Sequence, residues 1–159
     1  MTDVIERRYG EHTICLEAPD LLVVTLCGGV SQAEIEQIIW AREELTAGLD
    51  HVLVLCRLGH FTGISMAASR VLSGSPDPRP QAIVFVNASF RQRVIAEMAL
   101  RAARFFSGPL GRHSFTDSEE EARAWLNDAR HTLLSRSAPP AEQAPSAPSA
   151  ARSKSANDA

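Results

Sequence analysis

Apolar residues along this chain fall into short runs bounded by turn residues, and these runs alternate with longer segments of helical spacing. His12-Thr13-Ile14-Cys15-Leu16 is predicted as a strand, Ala18-Pro19-Asp20 as a tight turn, and Leu21-Leu22-Val23-Val24-Thr25-Leu26-Cys27 as a second strand ended by Gly28-Gly29. A connection that short makes the pair an antiparallel hairpin. Ser31-Gln32-Ala33-Glu34 is a capping box opening a helix whose buried face carries Ile35, Ile38, Ile39 and Leu45, with Gly48 placed to end it. The unbroken run Val52-Leu53-Val54-Leu55-Cys56 suits a strand covered on both faces.

A loop, Leu58-Gly59-His60-Phe61-Thr62-Gly63, then leads to a short helix over 65–72, and Pro76, Pro78 and Pro80 exclude regular structure until the strand at 81–87. Ser89-Phe90-Arg91-Gln92 is a second capping box, and the helix behind it sets Val94, Met98, Ala102 and Phe105 in register. Arg93, Glu97, Arg101 and Arg104 form its other face, where local ion pairs are the ordinary arrangement. After Gly108-Pro109-Leu110-Gly111, a short strand around His113-Ser114-Phe115 precedes a helix opening at Thr116-Asp117-Ser118, with Ala122, Trp125, Leu126, Ala129 and Leu133 as its buried stripe. Trp125 is expected to anchor that helix in the core. The order β-β-α-β-α-β-α-β-α predicts an α/β fold: a mixed sheet with an antiparallel N-terminal hairpin, later parallel strands, and about four helices.

From Ser135 onward the composition shifts to Ala, Pro and Ser, which offer too little apolar surface to offset the entropy of ordering. The expected organisation is one domain over 1–134 and a disordered tail over 135–159, and 159 residues, 45% of them hydrophobic, suffice for one core. A formal charge of −3 argues against a nucleic-acid partner. Neither a signal-type h-region nor an apolar run of about 20 residues occurs, so the expectation is a cytoplasmic protein without stable membrane insertion. Lys154 is the only lysine among many arginines, a hint of a GC-rich bacterial genome.

Cys15, Cys27 and Cys56 are odd in number, widely spaced and set among aliphatic residues, which reads as core packing. There is no Cys-x-x-Cys, no His-x-x-x-His and no Gly-x-Ser-x-Gly. No metal, no cofactor and no catalytic residue are therefore expected.

Three stretches carry a family resemblance: the strand-loop-helix passage over 52–72, the junction Asn87-Ala88-Ser89-Phe90-Arg91-Gln92-Arg93, and Phe115-Thr116-Asp117-Ser118-Glu119-Glu120-Glu121-Ala122-Arg123-Ala124-Trp125-Leu126. Together with the element order they resemble the STAS-like domains, the group of the sporulation anti-sigma-factor antagonists, and more distantly the CRAL-TRIO lipid-transfer fold. The resemblance implies a non-enzymatic regulatory or protein-interaction module. The CRAL-TRIO likeness implies an alternative, a small-molecule or lipid-binding protein with an apolar pocket under the final helix.

Phosphoswitch members of that family carry an Asp-Ser-Ser-Gly-like sequence where this chain has Ile64-Ser65-Met66-Ala67. Ser65 takes the first serine position. Met66 replaces the serine that receives phosphate, and Ile64 replaces the aspartate.

In open sheets, ligands gather beyond the carboxyl ends of parallel strands, at helix N-termini. Two such junctions supply His60, Thr62 and Ser65, and Asn87, Ser89 and Arg91, as candidate ligand- or partner-binding residues. Two readings stand side by side. One is a docking edge for a partner protein or a small apolar or anionic ligand, with a homodimer left open. In the other, Ser65 and Ser89 only cap helices, Asn87 completes a turn and His60 is solvated.

Overall fold

A computed structural model describes residues 5–75, 77–107 and 111–137, with the backbone alone over 102–107 and 136–137. Six strands and four helices follow in the order β1 (Ile5–Tyr9), β2 (His12–Glu17), β3 (Leu21–Val30), α1 (Gln32–Leu45), β4 (Val52–Ile64), α2 (Met66–Gly74), β5 (Gln81–Val86), α3 (Phe90–Ser107), β6 (Arg112–Thr116) and α4 (Glu119–Ser137). They build one sheet in sequence order, β1-β2-β3-β4-β5-β6. β1 to β3 pair antiparallel, and β3 to β6 pair parallel. The predicted mixed α/β class and its element order hold, with one strand added at the N-terminus. β1 is an edge strand reading Ile-Glu-Arg-Arg-Tyr and mostly exposed, so it lacks the alternating apolar pattern that would announce it.

Three crossovers run in the same direction across neighbouring parallel strands, and a constant hand then places α1, α2 and α3 on one face. Ile35, Ile38, Ile39 and Ala41 from α1 and Ala68 from α2 bury there against Val24, Val52, Cys56 and Leu58. α4 covers the other face, where Ala122, Leu126, Ala129 and Leu133 meet Leu53, Leu55, Ala82 and Val84. Successive residues of β4 thus point into two different cores, which is why 52–56 is an unbroken apolar run. Each such side chain contributes about 1.5–3 kcal/mol by burial.

Four expectations need correction. β4 does not stop before Leu58: it runs to Ile64, with His60 opposite Cys27 and Phe61 opposite Gly28 on an equally prolonged β3. The glycines at 28 and 29 therefore lie within a strand. Register shifts at Thr25/Cys27 and Gly28/Gly29 and a left-handed Gly28, φ 67°, mark a bulged pairing that glycine allows.

On α3 the buried positions are Gln92, Ala96 and Leu100, while Val94 and Met98 are 42% and 66% exposed. Of Ala102 and Phe105, the side chains lie outside the described residues. Trp125 is half-buried at the margin of the α4 core, with the Arg112 guanidinium 5.5 Å from its ring centroid, so it borders the core instead of filling it. Cys15 and Cys56 are buried as expected, and burial pushes the Cys56 thiol up to about 12, but Cys27 is only partly covered.

Ion pairs tie α4 to the sheet. Glu119 receives Arg57 of β4 and Arg123 of its own helix, and Arg123 reaches on to Glu17 of β2. At the helix's far end Arg130 holds the buried Asp20 in a two-oxygen contact, and His51 Nε2 lies 2.7 Å from the same carboxylate. α4 continues to Ser137, three residues past the compositional boundary. From residue 138 on, the tail expected from composition lies outside the described residues.

Candidate functional site

At the carboxyl edge of the parallel strands, β4 passes into α2 and β5 into α3. Ser65 N donates to Val30 O at 3.0 Å, and Ser65 Oγ, as N-cap of α2, accepts from Ala68 N at 3.1 Å. Ser69 N donates to Ser65 O, continuing the helix. The same logic builds the second junction. Asn87 has φ 56°, a left-handed conformation that asparagine tolerates better than most residues, and its N–H donates to Thr116 O of β6. Ser89 N donates to Gln92 Oε1 at 2.7 Å and Ser89 Oγ accepts from Gln92 N at 3.4 Å, the reciprocal box foreseen in the sequence.

What joins the junctions is Gln92. Its Nε2 donates to Leu58 O and to Phe61 O, both at 2.7 Å, so α3 is pinned to the outer half of β4. Only an amide can do this, because its oxygen accepts the Ser89 N–H while its two N–H groups point inward. Gln92 was legible as a cap partner. Its second role depends on where β4 ends, and the local signal for it is the choice of glutamine over glutamate at this position.

His60, Thr62, Ser65, Asn87, Ser89 and Arg91 are all exposed along this edge. Ser65 and Ser89 do cap their helices, and Asn87 completes a turn. His60 and Thr62 belong to a strand and not to a loop. Among the described residues, neither serine is hydrogen-bonded to a histidine or carboxylate that could act as its base. Among the described residues no cluster of three His, Cys, Asp or Glu side chains could hold a metal ion.

The basic row of α3 is largely committed to neighbours. Arg93 donates to Ala88 O and Asp117 and lies over the Phe115 ring, and Glu97 meets His113 at 3.0 Å and Arg101 at 3.8 Å.

A feature missed in the sequence stands beside these polar groups. Met66, the first residue of α2, is 73% exposed, and Phe90, the first residue of α3, is 83% exposed. Phe90, Val94 and Met98 recur every four residues and draw an apolar row down the outer side of α3. Arg70, Arg91 and Arg101 are exposed on the same two helices.

The capping role of Ser65 sets an expected outcome. Ser65→Ala should lower stability by about 1 kcal/mol, the usual value of an N-cap hydroxyl, as read from urea unfolding. Phosphopeptide mass spectrometry of protein from its native host should find Ser65 unmodified, and stoichiometric phosphate there would restore the antagonist-type switch.

No family model matches the sequence, and no curated protein aligns with it. Solved structures do. A protein of the DUF3478 family with a SpoIIAA-like fold, from Shewanella loihica PV-4, is 18% identical and superposes with a TM-score of 0.50 over 77% of this chain and 91% of that one. The anti-sigma factor antagonist SpoIIAA in its unphosphorylated form is 12% identical, with a TM-score of 0.48 over 73% of this chain and 97% of that one. Strand order, the antiparallel start, the parallel remainder and the superposition on the Shewanella protein together give this chain a SpoIIAA-like fold.

Proposed function

We propose that this domain is a non-enzymatic regulatory module, cytoplasmic and bacterial, that docks a partner protein on the carboxyl edge of its parallel sheet. One observation carries the reading: Phe90 and Met66, at the starts of adjacent helices, are 83% and 73% exposed, and Val94 and Met98 extend the apolar surface. Large aromatic and methionine side chains held in water at helix starts are characteristic of interaction surfaces. Around them, His60, Thr62, Ser65, Asn87, Ser89 and Arg91 supply the polar rim that fixes orientation. Arg70, Arg91 and Arg101 favour a partner whose contact surface is apolar with acidic borders. The SpoIIAA-like fold is compatible with such a role by analogy, while the docking edge rests on the exposed side chains. Among the described residues no helix is long and apolar enough to cross a membrane.

Photo-crosslinking tests this directly. A benzophenone amino acid at position 90 in the native host is expected to capture a discrete partner that Met66→Asp releases, while the same group at Asn127 on the opposite layer captures none. A crosslink between two copies would identify the partner as the chain itself. Identical capture from positions 90 and 127 would remove the docking edge.

A further inference from the structure

Between the sheet and the α1–α3 layer lies a cavity of about 230 Å³. Its walls are almost wholly apolar, with Leu26, Ile38, Val54, Ile64, Ile95 and Leu100 among them. It lies on the face opposite α4, so the pocket is not under the final helix, where the CRAL-TRIO likeness would put it. In size it exceeds the apolar cavities of about 150 Å³ that take up benzene, and it approaches the lower end of small-molecule sites, about 300 Å³.

One wall carries a cation short of a hydrogen bond. Arg42, on α1, is mostly buried, and its Nε has no hydrogen-bond partner. The nearest acids stand off, with Asp77 Oδ2 4.0 Å from Nε and Glu43 Oε1 3.9 Å from a terminal nitrogen. Asp77 is already engaged, because Arg79 donates to it through its backbone N–H, Nε and a terminal nitrogen at 3.0, 2.9 and 2.6 Å. Glu43 is 63% exposed and solvated. Burial pushes the Arg42 guanidinium below its ordinary range, although the charges of Asp77 and Glu43 act to raise it.

Arg42 also lines a shallow surface cleft with Glu43, Asp77, Pro78 and Arg79, so its guanidinium stands between the apolar interior and solvent. A buried guanidinium short of hydrogen bonds is costly, and a planar oxyanion supplies two parallel acceptors for it.

From Arg42, whose Nε lacks a hydrogen bond at the mouth of an apolar cavity, we infer that this domain binds a small amphipathic carboxylate, its apolar chain filling the cavity and its carboxylate received by Arg42. The site is distinct from the docking edge. Its failure leaves that edge untouched.

Decanoate and its uncharged counterpart decanol are the probes, measured by titration calorimetry on the full chain. Wild-type protein is expected to bind decanoate saturably at one site per chain. Arg42→Gln should weaken decanoate by about tenfold or more, as expected for losing a charge-assisted contact, and leave decanol within about threefold, since its chain contacts are unchanged. Val54→Phe, which fills the cavity from the sheet side, should abolish binding of both. Thermal melts establish that each variant is folded, and Arg42→Met serves in place of any Arg42→Gln protein that is not. The inference is overturned by non-saturable decanoate binding, by equal decanoate affinity in wild type and the folded Arg42 variant, or by binding that survives Val54→Phe.

Discussion

Gln92→Glu is expected to destabilise the domain by about 3 kcal/mol or more at neutral pH, although the side chains differ by one atom group. The carboxylate keeps the acceptor for Ser89 N but loses both donors. It then presents a buried negative charge to the carbonyl oxygens of Leu58 and Phe61, at the place where Nε2 now lies 2.7 Å from each. Burial and two carbonyl dipoles would raise the folded-state pKa of the new carboxyl above its unfolded value of about 4.3. The penalty is therefore full at neutral pH and shrinks as pH falls towards about 4. Ser89→Ala, which removes only the 3.4 Å cap, should cost about 1 kcal/mol. Hydrogen exchange offers the local readout. In Gln92→Glu the amides over 58–64 should exchange faster than those of 52–56, because the outer half of β4 is held by Gln92 and the inner half by two cores. Uniform loss of protection would mean that Gln92 supports the whole fold and not the edge.

Asp20→Ala is expected to cost about 3 kcal/mol, within the range for removing one partner of a buried ion pair. Asp20 is 4% exposed in the turn between β2 and β3, and it is the shared acceptor of Arg130 from α4 and His51 before β4. Its loss leaves a guanidinium facing a buried gap and removes the tie between the far end of α4 and the hairpin, while Arg123 still holds Glu17. Burial pushes the Asp20 carboxyl up, but hydrogen bonds from Arg130 and His51 outweigh it and hold the group below its ordinary value. A depressed folded pKa means that the contribution is fully present above the unfolded value of about 3.9 and is lost as pH falls through the folded value. Wild-type melting temperature should accordingly drop steeply below about pH 4. Asp20→Ala should start lower at neutral pH and converge on the wild type in acid. Parallel melting curves at every pH would show that Asp20 is not a linked group.

Much of this molecule was legible along the chain because it depends on short-range physics. Ser31 and Glu34, Ser89 and Gln92, and Ser65 identify helix starts through bonds that span three residues, and such bonds form wherever the local sequence allows them. The doubly buried centre of β4 shows as an apolar run, since strands covered on both sides have no polar face to alternate. From these followed the layer order, the hairpin and the two junctions that bear His60, Thr62, Ser65, Asn87, Ser89 and Arg91. Whether those residues bind a partner is a question of surface chemistry that helix caps leave open.

Tertiary packing decided the rest. Leu58 to Ile64 reads as a loop by composition, yet it is a strand because the glycine-bearing end of β3 runs beside it and Gln92 satisfies two of its carbonyls. α3 carries apolar residues on more than one side, and its period alone favours Val94 and Met98 as readily as Ala96 and Leu100. Docking selects the side with small residues and Gln92, which leaves Phe90, Val94 and Met98 in water. Arg42 looks like one more surface arginine of a capped helix, and only the tertiary structure, in which Arg79 takes the closer contacts to Asp77, leaves its Nε without a hydrogen bond beside a cavity. Bonds of three or four residues' reach are written locally, whereas which face is buried and which polar atom is left without a hydrogen bond depend on partners 30 or more residues away that exist only once the sheet has closed.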